Sequence, residues 1–272
     1  MPTGHVQSPT RPSRTMPLAV LVAVLAVLAA ACGESRGIRA ASRPPAAAPA
    51  ETITVFAAAS LTEAFNALGQ RFSASRPGTT VRVSTGGSST LAQQIVQGAP
   101  ADVFAAASPA TMQVVVQAGL ARGTPSLFAR NSLQIAVPKG DRAGVRTLAD
   151  LGRPGVKVAL CAEQVPCGDA AKRALAAAGV TVKPVTLEQD VKGALTKVSA
   201  GEVDAALVYR TDVKAAGSAV HGFDFPEAAN AVNDYPVVAL RGTHEPAADA
   251  FVAFLRGPEG QAALAAAGFG PP

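Results

Sequence analysis

Three observations predict an α/β protein with mostly parallel sheets. Short apolar runs rich in Val, Ile and Ala alternate along the chain with segments whose apolar residues recur at helical spacing. Ser, Asp or Pro stands where each helical segment begins, and Gly often stands where it ends. No segment repeats at a fixed period. In sheets of this class, ligands bind where the strand carboxyl ends meet helix amino termini.

The first half of the folded region repeats a strand followed by a helix. Ser60 and Glu63 fit a capping box that begins the first helix. The Gly/Ser loop TGGSST leads into a second helix, which Gly98 ends. Ser108, followed by Pro, is the expected N-cap of a third. The predicted strands are TITVFAAAS (52–60), VRVS (81–84) and ADVFAAAS (101–108).

The second half continues the alternation. A helix is predicted for GDAAKRALAAAG, which follows the strand ending at Cys161, and Asp190 is the expected cap of VKGALTKVSAG. Gly257-Pro258 divides the carboxyl-terminal segment into two short helices. The predicted strands are LQIAVP (133–138), KVALC (157–161), AALVY (205–209) and YPVVAL (235–240).

Composition bounds the class of protein. The 272 residues suffice for one large domain or two modest ones, and 49% hydrophobic with 16% charged residues allow a sizeable core. Residues 1–50 hold five of the 24 Lys/Arg and one of the 19 Asp/Glu, so the rest carries 19 basic and 18 acidic residues. A nearly neutral body argues against a nucleic-acid partner, which needs a basic face.

The amino terminus predicts export. Arg11 and Arg14 precede the apolar run MPLAVLVAVLAVLAAAC (16–32), which ends in small residues and so has the architecture of a signal peptide over 1–32. A single transmembrane anchor is the alternative, but the run is short for one. Cys32-Gly33 resembles a lipoprotein cleavage box, so Cys32 is the predicted lipidation site. An extracytoplasmic protein, in the periplasm or at the cell surface and lipid-anchored to the membrane, is expected.

The segment 33–50 predicts a disordered linker, because it is rich in Ala, Pro and Ser and has little to bury. With Cys32 acylated, Cys161 and Cys167 remain as an even pair in an oxidising compartment. We expect them to form a disulfide. A thiol–disulfide oxidoreductase is disfavoured because five residues separate the two, and a zinc site would need more ligands.

Motifs of catalysis are missing from the sequence. It has no G-x-S-x-G, P-loop, H-E-x-x-H or G-x-G-x-x-G motif, and its three His have no metal-like spacing. The prediction is therefore a protein that is not an enzyme, needs no cofactor and coordinates no metal cation directly. What remains is a set of junctions where helix amino termini offer N–H donors to an anion, with Ser hydroxyls beside them.

Seven segments, in order, resemble the molybdate-binding proteins of bacterial ABC molybdate importers. They are ITVFAAASLTEAF (53–65), GSSTLAQQI (87–95), GAPADVFAAAS (98–108), VPCGDAAKRAL (165–175), EQDVKGALTKV (188–198), DAALVYRTDV (204–213) and YPVVAL (235–240). The resemblance implies a type II, two-lobed periplasmic binding protein fold with a ligand cleft between two α/β domains.

The implied first lobe is 51–130 with 236–272, and the implied second lobe is 131–235. Strands near 133–137 and 235–240 would act as crossovers and hinge. The implied ligand is molybdate or tungstate, held by hydrogen bonds alone. The implied partners are a membrane permease and, through it, the ATPase subunits.

Carried over position by position, the site comprises hydroxyl donors at Ser60, Ser88 and Tyr209 and backbone N–H donors at Ala107, Cys167 and Val191. The chain departs from the family pattern where Gly86 and Gly87 replace part of a serine run, so Ser89 is an alternative to Ser88. It also departs at 167, where the family commonly has a small apolar residue; a backbone donor tolerates the change.

Two further hypotheses remain open at this point. One keeps the fold and replaces the ligand with another oxyanion, such as sulfate. The other is the exported oxidoreductase considered above. A donor-only site favours a dianion that carries no proton at neutral pH, and none of the six assigned residues is acidic or basic.

Overall fold

The computed structural model describes residues 50–242 and 244–272, and these contain two five-stranded sheets. The predicted signal peptide, lipidation site and nearly all of the linker lie outside the described residues. The first sheet has the order β2-β1-β3-β10-β4 and the second the order β7-β6-β8-β5-β9. The strands are β1 (Glu51–Ala58), β2 (Thr79–Gly86), β3 (Val103–Ala105), β4 (Ala121–Asn131), β5 (Leu133–Pro138), β6 (Val158–Cys161), β7 (Thr186–Glu188), β8 (Ala205–Tyr209), β9 (Val220–Phe223) and β10 (Asn233–Leu240).

The helices cover the faces of these sheets. They are α1 (Thr62–Ser75), α2 (Ser88–Val96), α3 (Pro109–Gln117), α4 (Leu148–Leu151), α5 (Pro166–Ala178), α6 (Val191–Ser199), α7 (Arg210–Ala216), α8 (Glu245–Arg256) and α9 (Pro258–Ala267). We call the first sheet with α1 to α3, α8 and α9 the first lobe, and the second sheet with α4 to α7 the second lobe. Within the described residues, no helix combines the length and apolar character needed to cross a bilayer.

The α/β prediction is confirmed, but both sheets are mixed. In the first, β10 runs antiparallel to β3 and β4, and in the second, β5 runs antiparallel to β8 and β9. The reason is that β5 and β10 enter their sheets directly from the opposite lobe, without the crossover helix that a parallel neighbour requires. The strands β4, β7 and β9 carry no clear alternation and escaped the sequence interpretation.

The chain crosses between the lobes just before the strands that were expected to serve as crossovers. Ser132 alone joins β4 to β5, and β10 begins at Asn233. Asn131 and residues 233–235, which the prediction assigned to the second lobe, therefore lie in first-sheet strands.

The two lobes have cores of different composition. In the first lobe, Phe65, Phe72, Phe128 and Phe251 meet edge to face at centroid distances of 5.2 to 6.2 Å. The second core is built mainly from Val, Leu and Ala on β5, β6, β8, α5 and α6. Both cores place strand carboxyl ends and helix amino termini at the cleft, as the α/β class requires.

Candidate functional site

All six predicted site residues line one cavity between the lobes. The cavity leaves about 20 Å³ for the centre of a water-sized sphere, which suits one small ligand rather than a peptide or a nucleotide. Its lining comprises Ala58, Ala59, Ser60, Gly87, Ser88, Ala107, Val165, Pro166, Cys167, Gln189, Asp190, Val191 and Tyr209. The set mixes backbone and hydroxyl donors with small apolar side chains.

Ser60 lies at the carboxyl end of β1, but it is not the N-cap that the sequence suggested. Residues Ala59–Leu61 form a 3-10 turn, and the N-cap of α1 is Leu61 without a side-chain cap bond. The expected capping box is therefore wrong. The tighter turn directs Ser60 inward, where it is 4% exposed and its Oγ lies 2.8 Å from the hydroxyl of Tyr235. Glu63 instead reaches Lys192 on α6.

Ser88 and Ala107 are linked to each other within the first lobe. The N–H of Ala107 donates to Oγ of Ser88 at 3.0 Å, and both residues are buried. The adjacent Ser89 points away from this pair and donates to the carbonyl of Gln164 at 3.0 Å across the cleft. Of the two serines that the sequence left open, Ser88 is the one on the cavity wall.

Cys167 and Val191 occupy the first turns of α5 and α6. In such a turn the backbone N–H groups have no intrahelical acceptor, and the helix dipole favours an anion. Pro166 begins α5, and the Asp190 side chain caps α6 by accepting from Gly193 N–H at 3.0 Å. That cap, predicted from the sequence, is confirmed. The one carboxylate on the cavity wall is thus engaged with a backbone donor.

A disulfide joins Cys161 at the end of β6 to Cys167, with their Cα atoms 5.7 Å apart. The bond encloses the loop that leads into α5. Gly168 lies against this loop so closely that a Cβ there would overlap the carbonyl of Ala162. The backbone that carries the Cys167 N–H is therefore held both by the cross-link and by close packing.

Tyr209 ends β8 and is 1% exposed. Its hydroxyl accepts from Nδ2 of Asn233 at 2.9 Å, and its ring packs against Tyr235 with 6.0 Å between centroids. Burial raises the pKa of both phenols above the usual value, and the carboxylate of Asp212 acts in the same direction. Both hydroxyls thus keep their protons, and remain donors, across the physiological pH range.

Three charged side chains lie beside the site, on α1, α6 and α7. Lys192 Nζ contacts Glu63 at 2.9 Å and Asp212 at 3.2 Å. Burial raises the pKa of the Asp212 carboxyl to about 6, and the attraction of Lys192 offsets this only in part. Lys192, which is partly exposed, has a raised pKa because its two carboxylate partners outweigh its own burial. No group of three His, Cys, Asp or Glu within 50–242 and 244–272 could hold a metal ion.

Sequence reasoning missed two residues at the site. Tyr235 contacts Ser60, and Asn233 bonds to site residues of both lobes. Both lie on β10, which packs beside β3 and β4, far in sequence from the strand-to-helix junctions. The sequence signal for either is weak, because their role depends on a strand crossing that only the fold reveals.

Comparison with known proteins agrees with this geometry. The family described as bacterial extracellular solute-binding protein matches residues 53–270. The molybdate-binding protein ModA of Mycobacterium tuberculosis is 43% identical over 238 residues, covering 85% of this chain and 91% of that protein.

Solved structures share the architecture. The periplasmic molybdate-binding protein of Azotobacter vinelandii aligns with a TM-score of 0.70 at 23% identity, covering 81% of this chain and 99% of its own. The sulfate-binding protein SubI of Mycobacterium tuberculosis gives a TM-score of 0.70 at 21% identity, covering 81% and 86%. These two likenesses speak for the fold. With the family match and the 43% identity, they confirm the resemblance: the chain belongs to the bacterial extracellular solute-binding proteins and, within them, to the ModA family of molybdate-binding proteins.

Proposed function

We propose that this protein captures molybdate, and tungstate with it, outside the cytoplasm and delivers the anion to an ABC importer. The observation that carries the proposal is the cavity between the lobes, where hydroxyl and backbone N–H donors converge. The bound oxyanion is the cargo, and the protein acts by binding it rather than by catalysis.

The chemistry of the wall favours an anion without a proton. Molybdate is a dianion at neutral pH and needs only donors. Phosphate keeps a proton at neutral pH and would need an acceptor facing it. Asp190, the one carboxylate on the wall, serves as the cap of α6, where its Oδ1 accepts the N–H of Gly193. The hydroxyls of Ser60, Ser88 and Tyr209 and the backbone N–H groups of Cys167 and Val191 would surround the four oxygens from several directions. The N–H of Ala107, which donates to Ser88 Oγ at 3.0 Å, would be shared with the anion.

Partner and location follow from the same proposal. Closure of the lobes around the anion would create the surface that docks on the permease, and through it on the ATPase subunits. A lipid on Cys32 would keep the protein at the membrane. Mass spectrometry of the protein purified from membranes tests the lipid: an intact, unmodified amino terminus would contradict it.

The chain offers its own reporter for ligand binding. It has no Trp and two Tyr, and both tyrosines lie at the site. Tyrosine fluorescence should therefore change when molybdate binds, and calorimetry should give the affinity. Titration with molybdate, tungstate and sulfate in parallel tests the proposal. Failure of the first two to bind at micromolar protein would reject it, and tighter binding of sulfate would replace the ligand but keep the fold.

Ser60→Ala is the first substitution to test. It removes one hydroxyl donor from a buried site, so we expect molybdate to bind about tenfold more weakly. The thermal unfolding midpoint should change little, because Ser60 makes one side-chain bond in the first lobe. Ser75→Ala is the matched control, since Ser75 is exposed, lies off the cavity wall and donates at 2.9 Å to the carbonyl of Phe72 within α1. Equal losses of affinity in the two variants would contradict the assignment of Ser60.

A further inference from the structure

We propose that Asn233 is a positioning residue that aims the donors of both lobes at the oxyanion, an inference that rests on the proposed function. Asn233 begins β10 and is 3% exposed. It lies off the cavity wall and touches the residues that form it. It therefore acts through other groups rather than on the ligand.

The contacts of Asn233 join the two lobes. Its Nδ2 lies 2.9 Å from the carbonyl oxygen of Ala107 in the first lobe. The same nitrogen lies 3.2 Å from the carbonyl oxygen of Pro166 and 2.9 Å from Oη of Tyr209, both in the second lobe. An amide nitrogen has two hydrogens, so these three acceptors share them. Such an arrangement forms only when the lobes are together.

The orientation of the amide is determined by Arg173. Its Nη2 donates to Oδ1 of Asn233 at 2.9 Å, and a guanidinium has no acceptor. Oδ1 must therefore face Arg173, which leaves Nδ2 facing the three oxygens. Arg173 is itself held by the carboxylate of Asp169 at 3.1 Å and the carbonyl of Asn230 at 3.2 Å.

The bond to Pro166 bears directly on a proposed donor. The carbonyl of Pro166 and the N–H of Cys167 belong to one peptide unit, which is planar and trans. They point in opposite directions, so fixing the carbonyl on Asn233 fixes the direction of the N–H. A hydrogen bond accepted by the carbonyl also polarises the N–H and makes it a stronger donor. Asn233 therefore both aims and strengthens the Cys167 donor.

The bond to Tyr209 has a similar effect on a hydroxyl. Because the Tyr209 oxygen accepts a hydrogen from Asn233, its own hydrogen must be directed elsewhere. The neighbours that remain are the hydroxyl of Tyr235, to which Tyr209 is hydrogen-bonded, and the cavity that would hold the anion. Asn233 is neutral and donates on this side, so it directs the hydroxyl without placing a negative charge beside a dianion.

Two substitutions test the inference, with sodium molybdate as the probe and calorimetry as the readout. Asn233→Ala removes the donor, and we expect binding to weaken about tenfold to a hundredfold. Asn233→Asp keeps the shape and a partner for Arg173, so the fold should persist, but it turns an acceptor toward the Tyr209 hydroxyl and adds negative charge. We expect Asn233→Asp to bind more weakly than Asn233→Ala.

Gln134→Ala is the matched control. Gln134 is also a buried amide, and it donates at 2.8 Å to Asp224, away from the cavity. Its removal should lower the thermal unfolding midpoint without weakening molybdate binding. A loss of affinity equal to that of Asn233→Ala would mean that Asn233 acts only through general stability, and would overturn the inference.

A double-mutant cycle with Tyr209→Phe separates positioning from structure. If Asn233 acts through the Tyr209 hydroxyl, the double variant should lose less affinity than the product of the two single losses. Independent, multiplicative losses, or wild-type affinity in both Asn233 variants, would overturn the inference while the proposed function stands. Failure of the wild-type protein to bind molybdate or tungstate would reject the proposed function, and the inference with it.

Discussion

The two lobes present donors to the cleft in different ways. The first lobe offers mainly hydroxyls, those of Ser60 and Ser88, and its one assigned backbone donor, the N–H of Ala107, is bonded to Ser88. The second offers mainly backbone N–H groups, at Cys167 and Val191 in the first turns of two helices, together with the hydroxyl of Tyr209. A hydroxyl donor depends on the identity of a residue, whereas a backbone donor depends only on conformation. Substitution should therefore harm the first lobe's donors directly and the second lobe's donors through their supports.

The supports of the second lobe are correspondingly strong. The disulfide, the close packing of Gly168 and the Asp190 cap all hold the loops that lead into α5 and α6. In the first lobe, the loop before α2 is the single residue Gly87. Gly87 matters for binding because the backbone of the second lobe approaches it closely.

The largest effect is expected for Gly87→Ala, which tests how closely the lobes meet. A Cβ at this position would lie 2.6 Å from the carbonyl oxygen of Gln189 in the second lobe. The obstacle is backbone and cannot rotate away, so the lobes would be kept apart. We expect molybdate affinity to fall by more than about a hundredfold, as for the loss of several hydrogen bonds at once, with little change in the thermal unfolding midpoint of the ligand-free protein.

Gly86→Ala is the control for that substitution. A Cβ there would meet only side-chain atoms of Leu91, at 3.6 and 3.7 Å, which is ordinary van der Waals contact. Both changes add one methyl group to the same short segment. Near-wild-type affinity in Gly87→Ala, or an equal loss in Gly86→Ala, would show that the close approach of Gly87 to Gln189 does not matter for binding.

A buried charge in the second lobe predicts a pH dependence of stability. Asp212 is fully buried, its carboxylate accepts the N–H of Tyr209 at 3.1 Å, and its pKa is raised to about 6 from 3.8. Between these values the unfolded state holds fewer protons than the folded state, so stability falls as pH rises. The loss is about 3 kcal/mol, complete above pH 6.

Asp212→Asn should remove most of this fall, because the amide does not titrate and its oxygen can still accept from Tyr209. Urea unfolding at several pH values between 4 and 7 measures the difference. Matched pH profiles for the variant and the wild type would show that Asp212 ionises normally despite its burial.

Removal of the disulfide should lower stability and leave molybdate affinity nearly unchanged, whereas Ser60→Ala should lower affinity and leave stability nearly unchanged. Replacing both Cys161 and Cys167 with Ala removes a six-residue cross-link, which costs about 2 kcal/mol of stability. Molybdate affinity should stay within about threefold of wild type, because the close packing of Gly168 and the bond from Asn233 to the Pro166 carbonyl still hold the peptide that carries the proposed N–H donor. An affinity loss as large as that of Ser60→Ala would show that the cross-link itself positions the donor. Labelling of either thiol in the native oxidised protein would contradict the disulfide.

The sequence predicted the local features of the cleft better than the features that depend on contacts between distant strands. Ser108 and Asp190 were assigned correctly as caps because an N-cap is a local feature with a local signal. Ser60 fitted a capping box equally well, yet a bond to Tyr235 from a distant strand accompanies a different turn there. The resemblance assigned six candidate site residues, but the contacts of Asn233 depend on how β10 crosses between the lobes. No local pattern encodes that crossing.

The smallest effect is expected where the lobes meet through exposed charge. Lys192 of the second lobe contacts Glu63 of the first at 2.9 Å, and the Glu63 side chain is 54% exposed. Exposed pairs contribute at most about 1 kcal/mol, so Glu63→Gln should weaken molybdate binding less than about fivefold. The difference should shrink as salt rises, because salt screens exposed charges. Glu202→Gln is the control, since its partner Lys197 lies in the same lobe and the pair forms whether or not the lobes meet. A loss of affinity for Glu63→Gln alone, removed by high salt, would show that this ion pair stabilises the closed state. Equal affinities in both variants would show that closure depends on other interlobe contacts, such as those of Gly87 and Asn233.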